Sequence, residues 1–216
     1  ESLVKMAHSV GLNVTTLVAS ALHDPSKISL SSGQKGYFHW GTLMPFLRAC
    51  EKHGPVPRPL PKPASLTPYS KHIASEPISF VCMPCRNGQV VDWGEKIRRS
   101  WPNIGEDHAH AASEAFISCS TAGLMSYEKK RSRADINTST ARISPHLRFG
   151  EISPRTVYWA IKDRMLDRSI TKTFLRRFYW RDLAYFHHLA FPNMCDVGIR
   201  RHYDQTEWTS VSSDKG

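Results

Sequence analysis

The stretch Thr138-Ser-Thr-Ala-Arg-Ile-Ser-Pro-His-Leu-Arg-Phe-Gly-Glu-Ile-Ser-Pro-Arg155 sets small hydroxyl residues (Ser139, Thr140, Ser144) around one guanidinium, that of Arg142. Two helix-start signals follow in it, Ser144-Pro145 and Ser153-Pro154. A serine oxygen can accept from the orphan amides of a first turn, and proline at the first helical position forfeits no hydrogen bond. Phe149-Gly150 stands between the two as a stop, because glycine takes up the left-handed conformation that closes a helix. Free amides, hydroxyls and a guanidinium converging on a helix start make a phosphate-binding site. The same pattern also fits an ordinary turn between two helices, and the spacing alone does not separate the two.

The run Thr171-Lys-Thr-Phe-Leu-Arg-Arg-Phe-Tyr-Trp-Arg-Asp-Leu-Ala-Tyr-Phe-His-His-Leu189 is the second informative stretch. Phe174, Leu175, Phe178, Leu183 and Phe186 form an apolar stripe at helical spacing, which predicts a core helix capped by Thr171. Arg177 and Arg181 lie four apart, a like-charge pair that an isolated helix does not favour. Arg176, Trp180 and Asp182 sit beside them. Asp182 can neutralise only some of these cations, so a bound phosphate, with Trp180 as a flat stacking face, is one reading. A solvated basic face around a core tryptophan is the other.

The elements that must position these residues are predominantly helical. Residues 2–10 predict a helix stopped by Gly11, with Leu3, Val4, Met6, Ala7 and Val10 on one face. Asn13 to Ala19 is β-branched and apolar, and reads as a buried strand. Residues 26–36 read as a mobile loop, and Trp40 to Gly54 as a short helix. Between Pro55 and Pro77 lie seven prolines, a polyproline II connector expected to lack a core of its own. Helices are predicted from Asp107 to Cys119 with Gly123 as a stop, over Leu124–Arg131, and over Arg155–Arg164. The fold class is therefore mostly α, with a possible α/β remnant ahead of it.

The 216 residues carry 29 Lys and Arg against 19 Asp and Glu, a net charge of +10. The excess is uneven: residues 126–209 hold 16 basic and 9 acidic groups, and residues 1–125 hold 12 and 9. A basic, tryptophan-bearing half suits a polyanion, with nucleic acid first among candidates. No apolar run is long enough to span a membrane. Five cysteines without regular spacing point to a reducing, intracellular compartment. Cys82-Met-Pro-Cys85 lacks the second pair or thioredoxin-like context that a zinc or redox site needs, and no metal site is expected. His108 and His110 do not share a helical face.

Three blocks in order, Tyr127-Glu-Lys-Lys-Arg, Thr140 to Arg155, and Phe174-Leu-Arg-Arg-Phe-Tyr-Trp-Arg-Asp182, resemble the photolyase/cryptochrome flavoprotein family. The resemblance covers residues 105–208 strongly and 1–104 weakly. It implies that 1–22 is the end of an α/β (Rossmann-like) antenna domain, 23–104 a connector, 105–208 the first part of an all-helical FAD-binding domain, and 209–216 a polar tail. It implies that Thr140, Ala141, Arg142, Ile143 and Ser144 wrap the FAD diphosphate, near Tyr127. Phe174 and Arg181 fall on cofactor-lining positions. Trp180 falls on the tryptophan that stacks a flipped lesion, and Arg177 faces that lesion. The activity implied is that of a blue-light-driven DNA photolyase, passing an electron from FAD to a pyrimidine dimer in ultraviolet-damaged DNA. The antenna pigment is left open, as is the choice between nucleus and chloroplast.

Two departures from the family pattern bear on that activity. Ala141 stands where repair enzymes commonly carry serine, and Arg177 stands where cyclobutane dimer photolyases carry a glutamate. Arg177 favours a cryptochrome-like photoreceptor with signalling partners, while Trp180 and the basic excess favour repair. Family members also continue into helices that hold the isoalloxazine ring. The chain is therefore expected to be a fragment, a short splice product or an incomplete gene model, with an incomplete FAD site that binds the cofactor weakly or not at all; an inactive product is the third reading.

Overall fold

The computed structural model describes residues 2–15, 17–28, 41–65 and 94–207. Eight α-helices occur among them: α1 Ser2–Ser9, α2 Leu43–His53, α3 Glu95–Ser100, α4 Glu106–Ser118, α5 Gly123–Lys130, α6 Ser144–Phe149, α7 Pro154–Lys162 and α8 Arg168–Ala190. The described residues contain no β-strand. Helix α8 is the spine, touching α2, α5 and α7 and the turn at Pro25–Lys27.

Local chemistry explains several boundaries. Ser153 caps α7 by accepting from the Thr156 amide at 3.0 Å. Gly150 closes α6 with φ 77°. Helix α8 starts one turn before Thr171, because Asp167 accepts from the Ser169 amide at 2.6 Å. Thr171 is then an internal, buried residue. Ser144 does not cap α6; Ile143 occupies that position and Ser144 is the first helical residue. Gly123 opens α5 rather than merely ending α4. Its φ of 55° and the Phe116 carbonyl oxygen, 2.3 Å from where a Cβ would sit, require glycine there.

The core joins α4, α5 and α8 through aromatic rings. The Phe174 centroid lies 4.9 Å from Phe116, 5.1 Å from Tyr127 and 5.6 Å from Phe178. Helix α2 adds Phe46, fully buried and 5.8 Å from Phe186.

Residues 20–28 form a strap across α8. Asp182, completely buried, accepts from the amides of Leu22 at 3.1 Å and His23 at 3.0 Å. Arg155 donates to the Leu22 carbonyl and Arg181 to the Ser20 carbonyl, each at 2.9 Å. A bent segment outside any helix or sheet must find its hydrogen bonds elsewhere, and these three side chains supply several of them. His23 is buried with Nε2 unpartnered. Burial, then the neighbouring His53 and Arg155, depress its pKa from 6.5 to about 4. A depressed folded pKa means its stability share is intact above the unfolded value and is lost as pH falls from 6.5 towards 4. Solvent screening leaves a loss on the order of 1–2 kcal/mol. Urea unfolding at neutral pH and near the lower end of that window measures it; His23→Phe is expected to remove this contribution, and parallel pH profiles for the two proteins would refute it.

Three expectations from sequence need correction. Among the described residues, Asn13 to Ala19 forms no strand and is mostly exposed, since no neighbouring strand pairs with it. Met6 and Val10 of the N-terminal region are exposed, so these two positions of the predicted face meet solvent rather than a core. The Pro-rich segment does reach the core: Val56 is buried, the Trp159 indole N–H donates to the Pro57 carbonyl, and the Arg58 guanidinium lies 3.9 Å over Trp159 while pairing with Asp163. Most of the 26–36 loop and the Cys82–Cys85 pair fall outside the described residues.

Candidate functional site

A cavity of about 590 Å³ opens between α4, the start of α5 and the loop that leads into α6. Thr140, Ala141 and Arg142 border it, as do Phe116, Cys119 and His146. The loop is folded by local bonds: the buried Ser139 hydroxyl donates to the Ile136 carbonyl at 2.7 Å, and a short turn covers Asn137–Ser139. Arg142 holds φ 51°, and one of its terminal nitrogens donates to the Asn137 side-chain oxygen at 2.9 Å. A left-handed arginine costs roughly 1–2 kcal/mol, a cost that positions with a ligand to serve often carry. The amides of Thr121 and Ala122 hold the Cys119 thiol below its ordinary pKa.

The other predicted site residues do not border this cavity. Ile143 is packed in the core, and Ser144 is exposed at the start of α6. Tyr127 and Phe174 are buried against each other, edge to face at 89°, and support the Phe116 wall from behind. Arg181 is directed elsewhere: besides Ser20 it donates to the Leu147 carbonyl at 3.0 Å and lies 5.4 Å from the Tyr185 ring. Its guanidinium is occupied by backbone carbonyls of the strap and of α6. Trp180, 49 % exposed, and Arg177, also exposed, share an outward face of α8.

Sequence reasoning missed a pair of which one member, His146, borders the cavity. His146 Nδ1 lies 2.5 Å from Glu151 Oε2, across the Gly150 turn. The clue available was a histidine and a glutamate flanking a helix-stopping glycine, which brings positions five apart together. Among the described residues no group of three or more His, Cys, Asp or Glu could hold a metal ion, and no helix is long and apolar enough to cross a membrane.

An all-helical body around a spine carrying the Arg-Arg-Phe-Tyr-Trp-Arg-Asp run, with an arginine-bearing loop on a cavity, matches the helical FAD-binding domain of photolyases. The chain belongs to the photolyase/cryptochrome family. It is 30% identical over 203 residues to the deoxyribodipyrimidine photo-lyase of Agrobacterium fabrum, covering 92% of this chain and 39% of that protein. It is 30% identical over 120 residues to the enzyme of the same name from Alkalihalophilus pseudofirmus, covering 56% of this chain and 24% of that one. The crystal structure of a bacterial class III photolyase from Agrobacterium tumefaciens superposes with a TM-score of 0.78 at 26% identity, over 98% of this chain and 42% of that chain. The chain thus spans about two fifths or less of the proteins it matches. No family model matches it.

Proposed function

We propose that the cavity beside Arg142 receives the diphosphate of FAD, and that the protein acts as a light-driven DNA photolyase on pyrimidine dimers. The carrying observation is Arg142 itself, fixed in a left-handed conformation on the cavity wall with no carboxylate partner among the described residues. The residues present fit a diphosphate: a guanidinium steadied by Asn137, on a cavity that the hydroxyl residues Thr138 and Thr140 also line. Bound there, FAD would supply light-driven electron transfer. The chain's own part is to hold the cofactor and to present a docking face for DNA. Trp180 offers an exposed ring on which an extruded base pair can stack, and Arg177 offers a cation beside it for the DNA backbone. We assign residues 105–208 to the helical domain, 23–104 to the connector and 1–22 to the end of an antenna domain.

Arg142→Ala is expected to weaken binding of ADP, which carries the paired phosphates, at least about tenfold, reflecting a lost charge-assisted contact. Calorimetric titration measures this; an unchanged affinity would remove the basis of the proposal. A second reading, a photoreceptor without repair activity, is favoured by the positive charge of Arg177 beside Trp180. Light-dependent repair of a dimer-containing oligonucleotide separates the two.

A further inference from the structure

His146 lies outside the Thr140–Ser144 loop, yet it borders the same cavity as Arg142. It lies in α6 and is only 4% exposed. Its Nδ1 meets Glu151 Oε2 at 2.5 Å, and the Glu151 amide returns a bond to the His146 carbonyl at 2.9 Å. The hydrogen bond from His146, followed by one from the Gly105 amide, holds the Glu151 carboxyl below the usual carboxylate range. Glu151 is therefore the acceptor, and Nδ1 carries the hydrogen. That leaves Nε2 without a hydrogen bond to another group among the described residues; it is not one of the buried side-chain atoms lacking a partner, so it is open to the cavity that His146 borders. A carboxylate behind an imidazole commonly orients the ring towards a ligand in front of it. His108 borders the cavity too, but it is exposed and its Nδ1 is engaged with the Ile104 carbonyl.

We propose that His146 is a binding residue of this cavity, donating from Nε2 to a phosphate oxygen of a diphosphate held beside Arg142, with Glu151 as the positioning residue behind it. This rests on the phosphate reading of the cavity.

The test compares ADP with adenosine, which shares the sugar and base but has no phosphate. Affinities are measured by calorimetry for the unaltered chain, His146→Gln, Glu151→Gln, the double variant and Arg142→Ala, each with its urea midpoint. His146→Gln is expected to weaken ADP about tenfold while leaving adenosine unchanged. Glu151→Gln should weaken ADP less, and the double variant should be no worse than His146→Gln. Equal losses for ADP and adenosine, or a loss that tracks a fallen urea midpoint, would overturn the assignment in favour of a sugar contact or a purely structural pair. If Arg142→Ala weakens ADP and His146→Gln does not, this inference alone fails. If the unaltered chain binds ADP no better than adenosine, the phosphate reading fails and takes this inference with it.

Discussion

Asp182→Ala is expected to lower the unfolding free energy by about 3–5 kcal/mol, because it leaves buried donors without an acceptor. Its two oxygens accept from consecutive amides, those of Leu22 and His23, and nothing else described in that fully buried position could replace them. Burial pushes the Asp182 carboxyl up to about 7, against the pull of those two amides and of Arg181 and Arg155. With a raised folded pKa, its pH-linked share is greatest below the ordinary carboxyl value and fades as pH rises through about 7, opposite in sign to His23. Asp182→Asn should not rescue the strap, since its –NH₂ would face one of the two amides. Urea unfolding near neutral pH reads both variants. A loss under about 1 kcal/mol for alanine would mean that the strap contributes little to the fold.

Phe174→Ala should cost about 3–5 kcal/mol, as removal of a buried aromatic ring commonly does. The ring is 6% exposed and meets Phe116, Tyr127 and Phe178, so its loss opens a void where α4, α5 and α8 join. The measurement also separates two roles. A residue lining the cofactor would lose ligand affinity with little change in stability. Buried as it is, Phe174 should do the reverse, with a lowered thermal midpoint and ADP affinity nearly intact in the fraction that remains folded. Full stability together with lost affinity would restore the cofactor-lining role.

What could be read from sequence follows the range of the interactions concerned. Ser153 as a cap, Gly150 as a stop and the apolar stripe of α8 depend on neighbours within a few positions, and they were legible. Arg142 could be tied to a loop preceding a helix, although its left-handed backbone could not be foreseen. Arg181 and Asp182 were misjudged for the opposite reason. Their strap partners are backbone groups about 160 positions earlier, and backbone groups leave no signature in residue types. The strand expected at Asn13 to Ala19 failed similarly: β-branched residues suit a ladder, but a ladder needs a second strand. Arg58 was hidden within a proline run whose composition suggested an undocked connector, whereas Trp159 and Asp163 give it a seat.

The distance between the strap and α8 has a consequence during synthesis. Leu22 leaves the ribosome 160 residues ahead of Asp182. At about 5–20 residues per second, that is a wait of roughly 8–32 s in which His23 and its neighbours have no acceptor to dock on. Completion of α8 is thus the event that draws the early part of the chain into place, and a nascent chain stalled before Asp182 should expose residues 20–28 to protease.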